Sequence, residues 1–425
     1  MARIISIVAA LAITMTMSAC SEKVTPSIKD ELTDPSLVYT LEELEALEAG
    51  EHYSFDYDVP ALYKYYEDYM YIGNIVNSWN FDNDSDMVTR SLMKNFNIYT
   101  MENDYKPSSI NPAPGVYNLD SCDKFIEFGE KTGAKLRGHT LVWHSQVPDW
   151  WFKADPTNEK SLGACNRDGE LASAEQLIER MEEYITTVVT RYKGQIDYWD
   201  VCNEVLNANS IRTVDDQYYW AEIIGDLDGN GYADDYVELA FQYARAADED
   251  AVLMINDFNI EWQDSKSQAM YDMVERFLRN GTRIDGVGFQ CHVSVEINVE
   301  DVKRNMDRIA ELAKVYDECF PEHKGGFRMQ VTELDMNMFV GSNSDKNFVR
   351  WTDEDHSRQA EVYAELMELF LSYAKDGLLD AVVFWCPDDA HSWIARGNGL
   401  PSIYDSESKL KPCYYSIVKT VLESE

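Results

Sequence analysis

Short apolar runs alternate with longer amphipathic stretches along most of the chain. The runs have the length of buried strands, and the stretches between them repeat apolar residues with helical spacing. The predicted strands span residues 70–77, 98–101, 135–142, 198–202, 252–256, 286–290, 328–332 and 381–386. Eight strand–helix units in one domain favour an α/β fold, the (β/α)8 TIM barrel, over an open doubly wound sheet.

The stretch after the third predicted strand shows how a helix is marked in this sequence. Ser173 and Gln176 form a capping box, which is typical of a helix start. Apolar residues then recur at helical spacing from Leu177 to Val189, and Gly194 ends the pattern. No GxGxxG or P-loop sequence follows any predicted strand, which argues against a nucleotide-binding α/β protein.

Composition narrows the range of functions. The chain has 425 residues, of which 45% are hydrophobic, enough for a substantial core. Its 76 acidic residues outnumber 37 basic ones, so the formal net charge is −39. This negative charge would repel phosphates, and we therefore expect no nucleic-acid partner. The 10 Trp and 26 Tyr residues suit core packing and also stacking on the flat faces of sugars.

The first twenty residues have the pattern of an export signal. A positive charge precedes an apolar or small-residue stretch, 4–19, which is too short to span a membrane comfortably. Residues 17–20 resemble a bacterial lipobox in which Met replaces the usual Leu. The resemblance implies a lipoprotein signal peptide at 1–19 and a lipid on Cys20 that anchors the exported protein to the outer membrane, at the cell surface or in the periplasm. An ordinary signal peptide cut at the same place is the alternative.

Residues 20–57 differ from the rest of the chain. They contain two prolines and an acidic stretch at 41–48, and we interpret them as an acidic tether or linker. Residues 58–425 show no repeat or internal boundary, so we expect a single catalytic domain there. The seven cysteines after Cys20 have no CxxC zinc spacing, and the sequence does not favour a disulfide framework.

Polar residues follow several of the predicted strands, where the catalytic groups of a barrel lie. Glu204 comes after the fourth strand and Glu333 after the seventh. Two carboxyl groups at one barrel mouth suggest glycoside hydrolysis, in which one protonates the leaving oxygen and the other attacks or supports the anomeric carbon. In so acidic a chain, the alternative is that the two glutamates are unrelated surface residues.

A metal site is the rival interpretation of these strand ends. His139, His144 and His292, together with Asp335, lie in or after predicted strands and carry atoms that can bind a metal. The sequence has no HExxH motif or comparably close ligand spacing, so we do not favour this interpretation.

Several motifs agree in order and spacing with one known family. They are ENDYKP at 102–107, GHTLVWHSQVPDW at 138–150, WDVCNE at 199–204, QCH at 290–292, VTELD at 331–335, Trp385 and the segment 389–393. From about residue 70 to its end, the chain resembles glycoside hydrolase family 10, the endo-β-1,4-xylanases. The resemblance implies an endo-acting, retaining hydrolase of β-1,4-xylosidic linkages in xylan that requires no cofactor.

The resemblance also implies a role for each residue of the catalytic centre. Glu204 would be the general acid/base and Glu333 the nucleophile, with carboxyl groups about 5–5.5 Å apart as retention requires. Asn203 would bind the sugar 2-OH. His292 would hold Glu333 in place, with Asp335 behind the imidazole.

Eight further residues match the family's contacts to the glycone side of the substrate. They are Asn103, Lys106, His139, Trp143, Gln146, Gln290, Trp385 and Trp393. Lys106 and Gln146 argue for xylose, because a hydroxymethyl group would crowd that side of the site. The expected partners are therefore xylan and xylo-oligosaccharides. A β-1,4-glucanase of the same clan and a non-catalytic xylan-binding surface protein stay open as alternatives.

One acidic insertion has a chemistry of its own. Asp226, Asp228, Asn230 and Asp234 follow the order of oxygen ligands in an EF-hand loop, with a glycine at the sixth position. Position 12 is Val237 instead of Glu. The sequence therefore leaves two interpretations, a structural calcium site and a solvated acidic turn.

Overall fold

Eight parallel strands form the centre of the molecule. The computed structural model describes residues 28–34, 36–213, 219–339, 350–394 and 399–424. The strands are β1 (Tyr71–Val76), β2 (Ile98–Met101), β3 (Lys135–Val142), β4 (Tyr198–Asn203), β5 (Val252–Asp257), β6 (Gly286–Phe289), β7 (Arg328–Asn337) and β8 (Leu379–Phe384). Each strand pairs with the next, and β8 pairs with both β7 and β1, so the sheet closes. The predicted (β/α)8 barrel is confirmed.

The strand bounds differ from the predicted runs mainly in β7. β2 and β3 have the predicted bounds, and the other strands except β7 differ by one or two residues at their ends. β7 was expected to end at residue 332, but it continues to Asn337 and pairs there with the short strand His292–Ser294. The extension places Glu333 and Asp335 inside a strand instead of after it.

Helices surround the barrel and follow each strand in turn. The main ones are Met87–Asn95, Asp120–Thr132, Ala174–Arg191, Asp235–Ala247, Asp264–Asn280, Val299–Ala310 with Leu312–Cys319, Asp353–Lys375 and Pro412–Glu423. The helix Ala174–Arg191 starts at the predicted capping box, where the Ser173 side chain accepts a hydrogen bond from the backbone N–H of Gln176. Its apolar side, from Leu177 to Val189, is buried against the barrel.

The barrel interior changes from apolar to polar towards the carboxyl ends of the strands. Ile98, Tyr198, Met254, Ala381 and Val383 form a buried apolar cluster of their own. Side chains two residues apart on a strand point to the same face. The interior position after Ile98 on β2 is therefore a threonine, and the one after Tyr198 on β4 is an aspartate.

A fully buried ion pair fills this second, polar layer. Arg137 Nη2 lies 2.7 Å from Asp200 Oδ1, and Arg137 Nε donates to Gln330 Oε1 at 2.9 Å. A buried charge is tolerated only when it is paired and hydrogen-bonded, as it is here. The second oxygen of Asp200 lies 2.9 Å from His139 Nδ1, so the network leads directly to the barrel mouth.

The segment before the barrel corrects one sequence-based interpretation. Residues 20–57 were expected to form a tether, but from residue 28 onward they pack on the folded body. Leu44 and Leu47 of the helix Leu41–Glu48 are buried, and Lys419 Nζ lies 2.6 Å from Glu48 Oε2. The acidic helix has an apolar side, and that side is covered by the C-terminal helix.

The described residues also bear on the expectations about disulfide bonds and membrane-spanning helices. The seven cysteines from Cys122 to Cys413 are all unbonded there, and six of them are buried. Among the helices in the described parts of the chain, none combines the length and the apolar character that crossing a membrane requires.

Candidate active site

A cavity of about 440 Å³ opens at the carboxyl ends of the strands. Its lining residues are Glu102, Asn103, Lys106, His139, Trp143, Gln146, Asn203, Glu204, Phe258, Gln290, His292, Glu333, Trp385 and Trp393. These include both predicted catalytic glutamates and all eight residues predicted to contact sugar. Their individual roles stay predictions, but the structure brings them together around one cavity. Of the residues predicted to take part in catalysis or to contact sugar, Asp335 alone is outside this lining.

Glu333 is held at both carboxylate oxygens. Asn256 Nδ2 donates to Oε1 at 2.7 Å, and His292 Nε2 lies 3.2 Å from Oε2. The pairing of β7 with β8 shifts register between Val331 and Leu334, next to the glutamate. Such irregularities are common beside active sites, because they redirect a side chain. Here, the nearly buried carboxylate faces the cavity.

The surroundings of Glu333 favour its ionised form. Burial alone would raise the pKa of this carboxyl group. The hydrogen bond from His292 and the electrostatic interactions with His139, His292 and Lys106 outweigh burial, and they lower the pKa of Glu333 to about 2. The group is therefore a carboxylate at any pH near neutrality, as a nucleophile must be.

His292 lies between two acidic residues. Its Nε2 faces Glu333, and its Nδ1 lies 3.0 Å from Asp335 Oδ2. Burial would lower the pKa of the imidazole, but Asp335 and Glu333 raise it well above the ordinary value. Trp393 Nε1 also donates to Asp335 Oδ2, at 2.8 Å. The predicted order of glutamate, histidine and aspartate is therefore present, and a protonated His292 can donate to Glu333.

Glu204 directly follows β4 and has a left-handed backbone, with φ of 56°. Two hydrogen bonds fix this backbone: its N–H donates to the carbonyl of Asn256 at 2.8 Å, and its carbonyl accepts from Arg212 Nε at 2.7 Å. Its carboxyl Oε1 accepts from Gln290 Nε2 at 3.1 Å, and His144 Nε2 lies 3.7 Å from Oε2. The side chain is thereby directed into the cavity.

The environment of Glu204 raises the pKa of its carboxyl group, whereas that of Glu333 lowers it. Burial raises the pKa of Glu204, and the negative charges of Asp257 and Glu333 raise it further. Two carboxyl groups whose environments separate their pKa values are the mark of an acid and base pair. Of the two, Glu204 therefore keeps its proton to higher pH than Glu333 does.

Three polar residues form a connected group on the wall next to β2. Lys106 Nζ and Gln146 Nε2 both donate to Asn103 Oδ1 at 3.3 Å. The Lys106 ammonium also lies 4.7 Å from the centre of the Trp143 ring. Burial lowers the pKa of Lys106, although Glu333 and other carboxylates oppose this. The group offers hydrogen-bond donors beside an aromatic face, which suits sugar hydroxyls.

Aromatic rings close the side of the cavity formed by β8. Trp385 is nearly perpendicular to His139, with ring centres 5.4 Å apart. Trp393 packs edge-on against His292 at 5.0 Å, yet 60% of its surface is exposed. Flat apolar walls of this kind, combined with a few placed polar groups, are typical of ligand cavities.

Sequence reasoning missed the part that β5 plays in the site. Asn256 touches both glutamates, Asp257 raises the pKa of Glu204, and Phe258 lines the cavity. A signal was present: polar residues end the fifth apolar run just as Asn203 and Glu204 end the fourth. Gln290 lines the cavity as predicted, and its side chain also donates to Asn203 Oδ1 at 3.2 Å and to Glu204 Oε1 at 3.1 Å.

The acidic loop 226–234 corrects the proposed set of calcium ligands. Asp234 does not join the loop's other carboxylates, because it is nearly buried and pairs with Arg276 of a neighbouring helix. Asp235 takes its place, and Asp235 Oδ2 also accepts from the backbone N–H of Leu227 at 3.1 Å.

Three carboxylates of this loop do come together. Oxygens of Asp226, Asp228 and Asp235 lie within 4.8 Å of one another. Asp226 also accepts from the backbone N–H groups of Gly229 and Gly231, at 2.8 and 2.9 Å. A turn satisfied in this way explains the spacing of the acids without an ion, so calcium binding stays a prediction.

A closed parallel barrel that presents two glutamates with oppositely shifted pKa values at the ends of β4 and in β7 defines a class of protein, the barrel glycoside hydrolases. The model of glycosyl hydrolase family 10 matches residues 61–420, and the chain belongs to that family.

Individual proteins that are similar to this chain agree with the family match. Endo-1,4-beta-xylanase C of Paenibacillus barcinonensis is 39% identical over 334 residues, which cover 77% of this chain and 28% of that protein. A structure of GH10 from Paenibacillus barcinonensis covers 85% of this chain and 97% of its own, with a TM-score of 0.76 and 36% identity. An intracellular xylanase mutant from Thermoanaerobacterium saccharolyticum, solved with xylotetraose, covers 85% and 98%, with a TM-score of 0.70 and 35% identity. The chain spans 28–33% of the length of three curated relatives.

Proposed function

We propose that this chain is an endo-1,4-β-xylanase that hydrolyses xylan with retention of anomeric configuration. The observation that carries the proposal is the pair of glutamates in one cavity, Glu204 with a raised pKa and Glu333 with a lowered one. Relatives named as endo-1,4-β-xylanases and a relative solved with xylotetraose support xylan as the substrate.

In the first step, Glu333 attacks the anomeric carbon of the xylose ring bound beside it. The bond from that carbon to the glycosidic oxygen breaks, and Glu204 gives its proton to the leaving oxygen. The product is a covalent glycosyl-enzyme ester on Glu333 and a shortened xylan chain with a free hydroxyl group. The raised pKa of Glu204 and the lowered pKa of Glu333 favour the protonation states that this step requires.

In the second step, Glu204 takes a proton from water, and the water oxygen attacks the anomeric carbon from the side that the leaving group has vacated. The ester bond to Glu333 breaks, which returns the carboxylate. Two inversions give net retention. Once Glu333 is esterified, its negative charge no longer raises the pKa of Glu204, so Glu204 becomes a carboxylate able to act as base.

Two neighbours support these steps. His292, protonated between Glu333 and Asp335, donates to the carboxylate that attacks and later leaves. Asn203 is buried at the end of β4, and its side chain lies next to Glu204, where it can bind the 2-OH of the reacting sugar. A hydrogen bond to this hydroxyl group strengthens in the transition state.

One assay distinguishes a xylanase from a β-1,4-glucanase and from a non-catalytic xylan-binding protein. Purified protein is incubated with xylan and, separately, with carboxymethylcellulose, and reducing sugar is measured together with sedimentation on insoluble xylan. We expect reducing sugar from xylan and little from carboxymethylcellulose. Higher release from carboxymethylcellulose would indicate a glucanase, and sedimentation without any release would indicate a binding protein.

The proposal also includes a place in the cell. The small residues that precede Cys20 support a lipid anchor on that cysteine in an exported protein. Expression of the full chain and of the Cys20→Ala variant in a bacterium tests it. We expect the unmodified chain in the membrane fraction and the variant in the soluble fraction, with equal xylanase activity. Membrane association of the variant would contradict the lipid anchor.

A further inference from the structure

A tryptophan stands outside the cavity at the same end of the barrel. Trp79 lies in the short turn Ser78–Asn80, directly after β1, and 41% of its surface is exposed. Its ring centre is 5.5 Å from that of His391, at an interplanar angle of 32°. His391 follows β8, the strand that pairs with β1. We call these two rings the Trp79–His391 platform.

The platform continues the wall of the cavity. Asn77, two residues before Trp79, donates through Nδ2 to Glu102 Oε2 at 2.9 Å, and Glu102 lines the cavity. On the other strand, Trp393 lines the cavity two residues after His391. Both halves of the platform are therefore connected to the site through adjacent residues of the same loops.

Hydrogen bonds fix the backbone turn that carries Trp79 and the imidazole ring of His391. The backbone N–H of Asn77 donates to Asn80 Oδ1 at 2.8 Å, which closes the turn that carries Trp79. His391 is held by Asp388 Oδ1, which accepts from its backbone N–H at 2.9 Å and lies 2.8 Å from Nδ1. A preformed surface binds with less loss of conformational entropy than a mobile one.

The position of the platform selects one end of the substrate. In a ring of eight strands, β1 and β5 lie on opposite sides of the mouth. Phe258, which follows β5, lines the cavity on one side, and the platform stands on the other. Asn103 and Lys106, the predicted glycone contacts, follow β2, the neighbour of β1. The platform therefore lies on the glycone side of the mouth, outside the residues that line the cavity.

We propose that Trp79 and His391 form a binding subsite for a third xylose residue on the glycone side of the cleavage point. This inference rests on the proposed xylanase function and extends it to the length of substrate that is bound. A half-exposed indole offers a flat apolar face of the size of a pyranose ring, and exposed apolar surface beside a site marks a ligand groove. A neutral sugar also suits a chain with a net charge of −39.

The experiment compares two aryl glycosides with the same leaving group. An aryl β-xylobioside fills two glycone positions, whereas an aryl β-xylotrioside also reaches the third. We expect wild-type kcat/KM to be higher on the trioside, and Trp79→Ala to reduce the trioside-to-bioside ratio by about 2- to 10-fold, the range expected for one aromatic contact. His391→Ala should reduce the ratio less, and Trp79→Phe should keep most of it.

Tyr57 supplies a matched control, because it is an exposed aromatic residue, 57% accessible, on the segment before the barrel. Tyr57→Ala should leave both rates unchanged. Equal rates of the wild-type protein on the two glycosides, or an equal loss on both in Trp79→Ala, would overturn the subsite. Failure of the wild-type protein to cleave either glycoside would instead count against the proposed function, so the two failures are distinguishable.

Discussion

The side-chain amide of Asn256 donates to Glu333 Oε1 at 2.7 Å. The backbone carbonyl of the same residue accepts from the N–H of Glu204 at 2.8 Å. This close arrangement depends on Gly288, where a Cβ atom would lie 2.4 Å from Asn256 Oδ1. A single residue of β5 therefore fixes Glu333 through its side chain and Glu204 through its backbone.

Asn256→Asp should impair catalysis without changing the size of the side chain. It replaces a donor to Glu333 with a second acidic group, which raises the pKa of Glu333 and moves the acidic limb of the kcat/KM profile to higher pH. A hydrogen bond to a charged group contributes about 1.5–3 kcal/mol, so we expect about a 10- to 100-fold lower kcat. Asn209→Asp, at an exposed position, is the control. A profile unchanged in shape and height would contradict the role of Asn256.

Asp257→Asn should move the basic limb of the pH profile of kcat/KM to lower pH. Asp257 is buried, lies 2.7 Å from Lys266 Nζ, and raises the pKa of Glu204. Removal of its negative charge makes the Glu204 anion less unfavourable, so the pKa of Glu204 falls. Activity on xylo-oligosaccharides, which need the acid, should then decline at lower pH than in the wild-type protein. The exposed variant Asp272→Asn should keep the wild-type limb, and a shift of Asp257→Asn to higher pH would refute this electrostatic role.

The sequence predicted the barrel because its strands are buried on both faces and read as continuous apolar runs. β7 was predicted too short because Glu333 and Asp335 interrupt the apolar run, although the backbone still pairs with β6, β8 and the strand His292–Ser294. The hydrophobic pattern of a sequence indicates which residues are buried. It does not predict the end of a strand where polar side chains enter the interior at a functional site, as they do in β7.

The sequence also misplaced one calcium ligand and suggested a tether before the barrel. Both errors arise from contacts between residues that are far apart in the chain. Asp234 has the spacing of a calcium ligand, but Arg276 neutralises it from another helix. The acidic helix Leu41–Glu48 suggests a solvated tether, but the C-terminal helix Pro412–Glu423 buries its leucines. The family motifs predicted the residues of the cavity, whereas no local pattern indicated which of them are hydrogen-bonded.

Calcium should raise the melting temperature modestly if the loop containing Asp226, Asp228 and Asp235 binds it. A ligand that binds only the folded state stabilises that state by mass action. The melting temperature is measured in EDTA and with added calcium, for the wild-type protein and for Asp226→Asn, in which the response should disappear. Xylanase turnover at low temperature should not change. Identical melting temperatures under both conditions would leave the loop as a solvated acidic turn.

Glu333→Gln should be inactive on natural and activated substrates alike, because the amide cannot form the glycosyl ester. The substitution keeps the shape of the side chain, so binding of xylo-oligosaccharides should persist. Hydrolysis of xylan and of an aryl xylobioside is compared with the wild-type protein, after removal of any contaminating wild-type enzyme. Substantial turnover of the aryl substrate would remove Glu333 from the mechanism.

The most direct test of the two-glutamate mechanism is the reaction of Glu204→Ala with azide. Without the acid, xylan hydrolysis should collapse, whereas an aryl xylobioside with a good leaving group should still form the ester on Glu333 and then stall. Added azide needs no base, so it should restore turnover and yield a β-glycosyl azide, the product of two inversions. An α-glycosyl azide, or equal losses on good and poor leaving groups without rescue by azide, would contradict the assignment of Glu204 as acid/base in a retaining site.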